Sequence, residues 1–271
     1  MTPNTIPTPH DETDLVVDVA QLAAVMVLEN GGETSRAEET ATILCHAAGR
    51  EEAEVIALPT GIFITAERQD GRKVSSAVRI KSRSINLYRV ERVNALSRDF
   101  AAGKLTLASL HEKLLTLKQS ILYRKPVICV AAGVSSAMFS LLFEEVLNVT
   151  VLFDLLVTFV CAFAAQTLCM SSRLKNSYQF SVTFLASALI ALLAVLLTAL
   201  CGIGNLSVII IGAMTPLLPG LSLTNAIRDT VMGDLVSGTV RIVETLLIAI
   251  GIAGGVGVVL AVYVNFAGGV L

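Results

Sequence analysis

Residues 180–201 of the chain read FSVTFLASALIALLAVLLTALC and contain no charged side chain. An α-helix needs about 20 mostly apolar residues to cross the hydrocarbon core of a bilayer. Backbone groups in lipid must be hydrogen-bonded within the segment, and the stretch lacks the alternating pattern of a barrel strand. It therefore predicts a transmembrane helix.

Other runs of the same kind surround this stretch. They cover residues 126–143, 149–170, 206–227 and 242–266. Hydrophobic residues make up 54% of the chain and charged residues 15%, which is outside the range of ordinary soluble domains. We therefore expect an all-α polytopic domain of about five transmembrane helices in the lipid bilayer, over residues 126–271.

Most of the charge lies ahead of this region. Of the 20 Lys and Arg, 16 precede Pro126, and so do 16 of the 22 Asp and Glu. The front part therefore has no basic surplus, which argues against a nucleic-acid partner. We expect a cytoplasmic α+β domain over residues 15–125. The polar, proline-containing residues 1–14 are expected to form a disordered arm and lack the pattern of a secretory signal.

Within residues 15–125, apolar spacing and turn residues predict an α-α-β-β-β-α-α order. The predicted helices are residues 15–29, 35–49, 87–101 and 106–118, and the predicted strands are residues 53–58, 62–66 and 74–80. Ser35 and Glu38 have the spacing of a helix capping box. Pro59, Thr60 and Gly61 form a turn between the first two strands.

The basic residues of the rear half occur in alternate loops, which sets the orientation of the helices. They are Arg124 and Lys125, then Arg173 and Lys175, then Arg228 and Arg241. Basic loops stay inside, so the N-terminal domain is predicted to be cytoplasmic and the C-terminus external or periplasmic. The location expected is a bacterial inner membrane, with the chain as a multi-pass protein.

The fourth span contains two prolines, which remove helix hydrogen bonds and clash with the preceding turn. A helix broken inside a bilayer is tolerated where it lines a cavity, and its restarted half presents N–H groups to an anion. The residues of this predicted substrate-binding break are Thr215, Pro216, Pro219, Gly220, Ser222, Thr224 and Asn225. Ser222, Thr224 and Asn225 are expected to cap and decorate the restart. A plain proline kink is the alternative.

A charged cluster follows the break and comprises Arg228, Asp229, Asp234, Arg241 and Glu244. Ionisable groups are costly inside a membrane, so pairing or a substrate path is expected. Helical spacing would place Asp234 on the face of Arg241 and Glu244 beside it. The arginines suit a substrate carboxylate, and the acidic groups suit proton coupling. The alternative is a cytoplasmic loop with charges that stop translocation.

Asp154 in the second span is a further candidate for coupling, or else a residue of the outer interface. Gly251 and Gly255, continued by Gly254 and Gly257, predict close helix packing in the last span. The cysteines and histidines lack the spacing of a metal site, and the chain has no P-loop or dinucleotide fingerprint. No cofactor and no metal are therefore expected.

Several motifs, taken in order, carry a family resemblance over residues 15–261. They are SRAEET from Ser35, ALPTGIFI from Ala57, RVNALSR from Arg92, PG from Pro219, NAIRD from Asn225 and SGTVR from Ser237. The ordered set resembles the N-terminal half of the threonine/serine exporter family. Since no second set of spans follows, the chain is similar to the family's split form, such as the larger subunit of a bacterial succinate exporter. The resemblance implies a second, small membrane protein that supplies the C-terminal half of a hetero-oligomer.

These patterns together favour a secondary transporter subunit, not an enzyme. The expected cargo is a small polar carboxylate, either an amino acid such as threonine or serine or a dicarboxylate such as succinate. Export would be driven by the proton gradient. A membrane-anchored enzyme or a sensor acting through the cytoplasmic domain remains the alternative, although Cys45, His46 and Ser97 show no catalytic spacing.

Overall fold

The structure is a computed structural model and describes residues 12–68, 70–81, 83–144, 148–171 and 178–267. The chain forms two compact units. The first comprises Met1–Ser120 and Leu221–Ile242, and the second comprises Ile121–Gly220 and Val243–Leu271. Residues 221–242 therefore belong with the front of the chain, from which they are far removed in sequence.

The first unit has the predicted order of elements. Its helices and strands are α1 (Glu12–Glu29), α2 (Thr34–Ala47), β1 (Glu54–Leu58), β2 (Gly61–Glu67), β3 (Lys73–Arg79), α3 (Leu87–Ala101) and α4 (Leu107–Gln119). Helix α1 begins earlier than predicted, so Glu12, Thr13 and Asp14 are helical and not part of an arm. The rest of the predicted arm lies outside the described residues.

Helix α1 is the centre of this unit. It contacts three helices, α2, α3 and α4, and two strands, β2 and β3. Most of its side chains are therefore buried, including Val19, Ala23 and Leu28. The three strands form an antiparallel sheet in the order β1-β2-β3. Ile62 and Ile64 point into the core while Phe63 between them is 48% exposed, as the alternation of a strand requires.

The predicted capping box of α2 is not formed. The N-cap residue is Glu33, and it makes no side-chain capping bond. Glu38, which the box would have directed to the helix start, instead accepts a 2.8 Å hydrogen bond from the Ala57 N–H of β1. A buried strand N–H needs an acceptor, and Glu38 supplies it.

The second unit is helical. Its elements are α5 (Lys125–Ser140) with a 3-10 turn (Leu141–Phe143), α6 (Val149–Cys169), α7 (Gln179–Cys201), α8 (Leu206–Met214) with a 3-10 turn (Thr215–Leu217), and the later part of α10 (Leu235–Ala267). Among the described residues, four helices are long and apolar enough to cross a membrane, or five if a bent pair counts as one span. Helix α10 begins seven residues before the predicted 242. The loop with Arg173 and Lys175 lies outside the described residues.

Small residues form the contacts inside this unit. Ala162 and Ala165 of α6, Ala191 of α7 and Ala213 of α8 belong to one buried cluster. A Cβ atom at Gly133 of α5 would lie 2.7 Å from the ring of Phe159 on α6. Close contact of this kind lets helices associate in lipid, where burying apolar surface provides no driving force.

Candidate functional site

The predicted break in the fourth span is confirmed. Helix α8 ends at Met214, the turn Thr215–Leu217 follows, and α9 (Gly220–Val231) begins after an extended residue, Leu218. The two halves of the span are bent by 56°. Pro216 and Pro219 have no N–H group for a helical ladder, which accounts for the position of the break.

The predicted substrate-binding residues are distributed along this break. Thr215 and Pro216 lie in the 3-10 turn, and Pro219 precedes the first residue of α9, Gly220. Ser222, Thr224 and Asn225 lie inside α9, beyond its first residue, and so do not occupy the N-cap position that was expected for them. Asn225 is buried, whereas Thr224 is exposed.

A buried ion pair follows the break in the sequence. Nε of Arg241 on α10 is 3.1 Å from Oδ2 of Asp229 on α9, and the two side chains are 5% and 1% exposed. The turn between the helices contains Gly233 at φ +97°, and the Asp234 N–H donates to the Asp229 carbonyl over 2.9 Å. The partner of Arg241 in this pair is thus Asp229, where helical spacing had suggested Asp234.

The two oxygens of Asp229 have different surroundings. Oδ2 faces Arg241 and accepts a 3.0 Å hydrogen bond from the Thr34 hydroxyl. Oδ1 is buried and accepts no hydrogen bond from any described residue. Leaving a buried carboxylate oxygen without a donor is costly, and no described residue offsets that cost at Oδ1.

Side chains of α9 and α10 hold the turn between α1 and α2. Nδ2 of Asn225 donates to the Gly31 carbonyl over 2.9 Å, and Nη2 of Arg241 donates to the Gly32 carbonyl over 3.0 Å. Arg228 forms an ion pair with Glu33. Together with the bond from Thr34, these contacts place three members of the predicted charged cluster, Arg228, Asp229 and Arg241, against residues 31–34.

The geometry of that turn requires its two glycines. Gly31 has φ +89°, a backbone conformation that residues other than glycine rarely adopt. A Cβ atom at Gly32 would lie 2.4 Å from Cγ1 and 2.8 Å from the carbonyl oxygen of Val27. Because neither residue has a Cβ atom, the turn can form, and the Gly31 and Gly32 carbonyl groups accept hydrogen bonds from Asn225 and Arg241.

A further acidic group lies near the pair. Burial raises the pKa of the half-buried Glu38 above its ordinary value of 4.5, the Ala57 N–H opposes this, and the charges of Asp234 and Asp229 add to the rise. A raised pKa means that the folded state disfavours the charged carboxylate. The free energy of unfolding therefore falls as the pH rises from the ordinary pKa through the raised one, and it stays lower at higher pH.

Glu38→Gln is therefore expected to raise the melting temperature of the purified protein at neutral pH. Glutamine keeps an oxygen for the Ala57 N–H and removes a charge that burial and Asp229 disfavour. The gain should disappear as the pH falls below 4.5, where the carboxyl is protonated in both states. Glu39→Gln, at an exposed position on the same helix, is the control and should leave the melting temperature unchanged. A gain that is equal at all pH values would contradict this assignment.

The remaining predicted coupling residues have other surroundings. Asp154 on α6 is 1% exposed, and its carboxylate oxygens accept the Asn205 N–H at 3.0 and 3.1 Å. Asn205 in turn caps α8, so Asp154 holds the start of that helix. Glu244 lies on α10 within the second unit.

The family model of the ThrE threonine/serine exporters matches residues 18–263. The chain belongs to the threonine/serine exporter family. No curated protein and no solved structure matched the chain in the same comparisons. The family match covers both compact units, the broken span and the ion pair, so all of these features lie in the region that defines this exporter family.

Membership of the threonine/serine exporter family makes the chain a transporter and not an enzyme, with a small-molecule substrate and an integral membrane location. Among the described residues, no group of three or more His, Cys, Asp or Glu side chains could hold a metal ion.

Residues 31–34 contact the ion pair, and none of them is among the site residues that the sequence predicts. The contacts of Thr34 with Asp229 join residues 195 positions apart. No local pattern reports a contact at that separation, although the glycine pair signals a backbone conformation that tertiary packing could use.

Proposed function

We propose that this chain is one subunit of a secondary transporter that exports small polar carboxylates by alternating access. The cargo is a threonine- or serine-type amino acid or a dicarboxylate such as succinate, and export is coupled to protons. The observation that carries this proposal is the buried Arg241–Asp229 pair, placed directly after a broken, apolar span.

The pair has the chemistry that such a cargo requires. A guanidinium group binds a carboxylate through two parallel hydrogen bonds, so Arg241 is the candidate anion-binding group. Asp229 has one oxygen without a donor among the described residues, so it can accept a proton or a substrate ammonium group. If the proton and the ammonium group compete for Asp229, binding one releases the other, which is the requirement for proton antiport.

The broken span is a second feature that supports the proposal. Non-helical backbone at membrane depth is tolerated where it lines a cavity, and a half-helix that begins there presents free N–H groups. Thr215 in the break has a buried hydroxyl oxygen without a hydrogen-bond partner among the described residues. In our proposal, the residues from Thr215 to Asn225 line the route, and Asp234, Glu244 and Asp154 assist in proton coupling.

We further propose that the first unit is cytoplasmic, in a bacterial inner membrane, and that the C-terminus is external. The 221–242 segment belongs to the first unit, which supports an inner location for Arg228 and Arg241. Alkaline phosphatase fused after Leu271 should be active and a green fluorescent protein fused there should be dark. The reverse result would exclude five crossings.

The chain is proposed to work with a second, small membrane protein that supplies a C-terminal half. Cells loaded with radiolabelled threonine or succinate should release it faster when they produce this chain and that partner together than when they produce either alone. A protonophore should slow this release. Release that is unchanged for both substrates, at normal levels of both proteins, would refute the proposal.

A further inference from the structure

Three exposed apolar side chains lie close together where α3 begins. Ile85, Leu87 and Tyr88 are 64%, 52% and 43% exposed. Single exposed apolar residues are common on protein surfaces, whereas adjacent ones form a patch, and such patches mark contact surfaces. We call these three side chains the apolar patch.

The apolar patch lies at the C-terminal end of α1. The Ser84 N–H donates to the Glu29 carbonyl over 2.8 Å, and the Asn86 N–H donates to the Asn30 carbonyl over 3.0 Å. On the far side of the patch in sequence, Nη1 of Arg89 donates to Oδ1 of Asn30 over 3.4 Å. These bonds fix the patch within the first unit.

The chain passes between the two units three times, and each passage begins at this end of α1. Nη2 of Arg89 donates to the Ser120 carbonyl over 2.6 Å, which holds the end of the α4 segment there. Cδ2 of Leu221 lies 3.4 Å from the position that a Cβ atom of Gly31 would take. Arg241 donates to the carbonyl of the next glycine over 3.0 Å.

These passages lead to helices that can cross a membrane. The candidate span of α5 begins at Lys125, five residues after Ser120, so at most about 18 Å of chain separates the two. Leu221 is the second residue of α9, in the broken span, and Arg241 lies in α10, which contains the last candidate span. The end of the first unit that carries the patch is therefore the end that the chain ties to the bilayer.

Basic residues are concentrated in the same stretches of sequence. Residues 81–92 contain four Lys and Arg against one Glu, and residues 118–125 contain three against no acidic residue, although the whole chain has a net charge of −2. Lys81, Arg92 and Lys118 are exposed, and their side chains form no ion pair with any described residue. Anionic lipid headgroups attract basic side chains near a membrane surface, and tyrosine is enriched at that depth.

We propose that the apolar patch and the basic residues around it bind the surface of a bilayer that contains anionic lipids. The three apolar side chains enter the headgroup region, and Lys81, Arg92 and Lys118 bind lipid phosphates. A bilayer fits this surface better than a protein partner does, because the chain itself keeps the patch close to the membrane. This contact does not depend on the transport function proposed above.

The chain contains no tryptophan, so one introduced tryptophan reports on its own surroundings. The purified full chain is reconstituted in bilayers of phosphatidylcholine and phosphatidylglycerol with brominated acyl chains, which quench tryptophan that is inserted among them. Tyr88→Trp and Ile85→Trp should each lose most of their emission compared with the same variants in unbrominated lipid. Phe63→Trp, at an exposed position on the outer face of the sheet, is the control and should keep its emission.

The quenching should depend on charge. Omitting phosphatidylglycerol should reduce it in Tyr88→Trp, and so should salt at about 1 M, which screens charges beyond about 3 Å. Adding Arg92→Gln to Tyr88→Trp should also reduce it. Adding Arg72→Gln instead should not, because Arg72 is an exposed arginine in the turn between β2 and β3.

Quenching of Tyr88→Trp and Ile85→Trp that is no greater than that of Phe63→Trp would overturn the proposal. An emission change that disappears when the protein is diluted in lipid would also overturn it, since a second copy of the chain would then cover the patch. Equal quenching with and without phosphatidylglycerol would overturn the assignment of the basic residues. None of these measurements uses efflux, so a failure of the transport proposal leaves them unaffected.

Discussion

Arg241→Ala is expected to reduce efflux to background and to destabilise the protein by about 3–5 kcal/mol, because it leaves the carboxylate of Asp229 buried without its counter-ion. Asp229 is 1% exposed, and the one hydrogen bond to its carboxylate among the described residues comes from Thr34. Efflux of radiolabelled substrate and the melting temperature of the purified protein provide the two measurements.

The double variant Asp229→Asn, Arg241→Gln separates stability from transport. Removing both charges of a buried pair is often close to neutral for stability, so the melting temperature should recover toward that of the wild type. Efflux should stay at background, since neither a carboxylate-binding guanidinium nor a proton acceptor remains. Recovery of efflux would show that the pair is only structural.

The pair of Lys104 with Asp99 serves as the surface control. Their side chains are 69% and 45% exposed at a distance of 3.1 Å, so Lys104→Gln should cost about 1 kcal/mol or less. It should also leave efflux unchanged. Wild-type efflux in Arg241→Ala at normal expression would refute the assignment of the transport site.

Gly255→Ala is expected to destabilise the second unit by about 1–3 kcal/mol, through overpacking of α10 on α7. A Cβ atom at this position would lie 2.3 Å from the Phe184 carbonyl oxygen, 2.2 Å from Oγ of Ser187 and 2.9 Å from the Ala188 nitrogen. Two of these atoms belong to the backbone, so they cannot relieve the overlap by a change of side-chain rotamer. The melting temperature and the yield of folded protein should both fall.

Gly257→Ala is the matched control in the same helix. A Cβ atom there would meet nothing within 4 Å among the described residues. Alanine favours a helix over glycine by up to about 1 kcal/mol, so this variant should be neutral or stabilising. The two substitutions are identical in chemistry and opposite in expected sign. Equal melting temperatures would show that α10 does not depend on close contact at Gly255.

The last span also shows which part of a sequence pattern was informative. Spacing predicted a face of small residues, and Gly251 and Gly255 do lie against α7. Gly257 was included in the same face but meets open space. Spacing places residues on a helix surface, while contact depends on where the neighbouring helix crosses.

The first unit shows the same limit at Glu38. A local motif predicted that its side chain would accept a hydrogen bond at the start of α2. The side chain instead accepts one from the Ala57 N–H of strand β1. An unpaired N–H in a buried strand is costly, so the tertiary contact overrides the local one.

The sequence alone determined the membrane class, the order of the elements and the break at Pro216. These depend on composition, periodicity and proline stereochemistry, which act within a few residues. Tertiary structure decided that Asp229 is the partner of Arg241 and that residues 221–242 belong with the front unit. The reason is separation along the chain. Contacts such as Thr34 with Asp229 span 195 positions, and the packing of whole helices sets them.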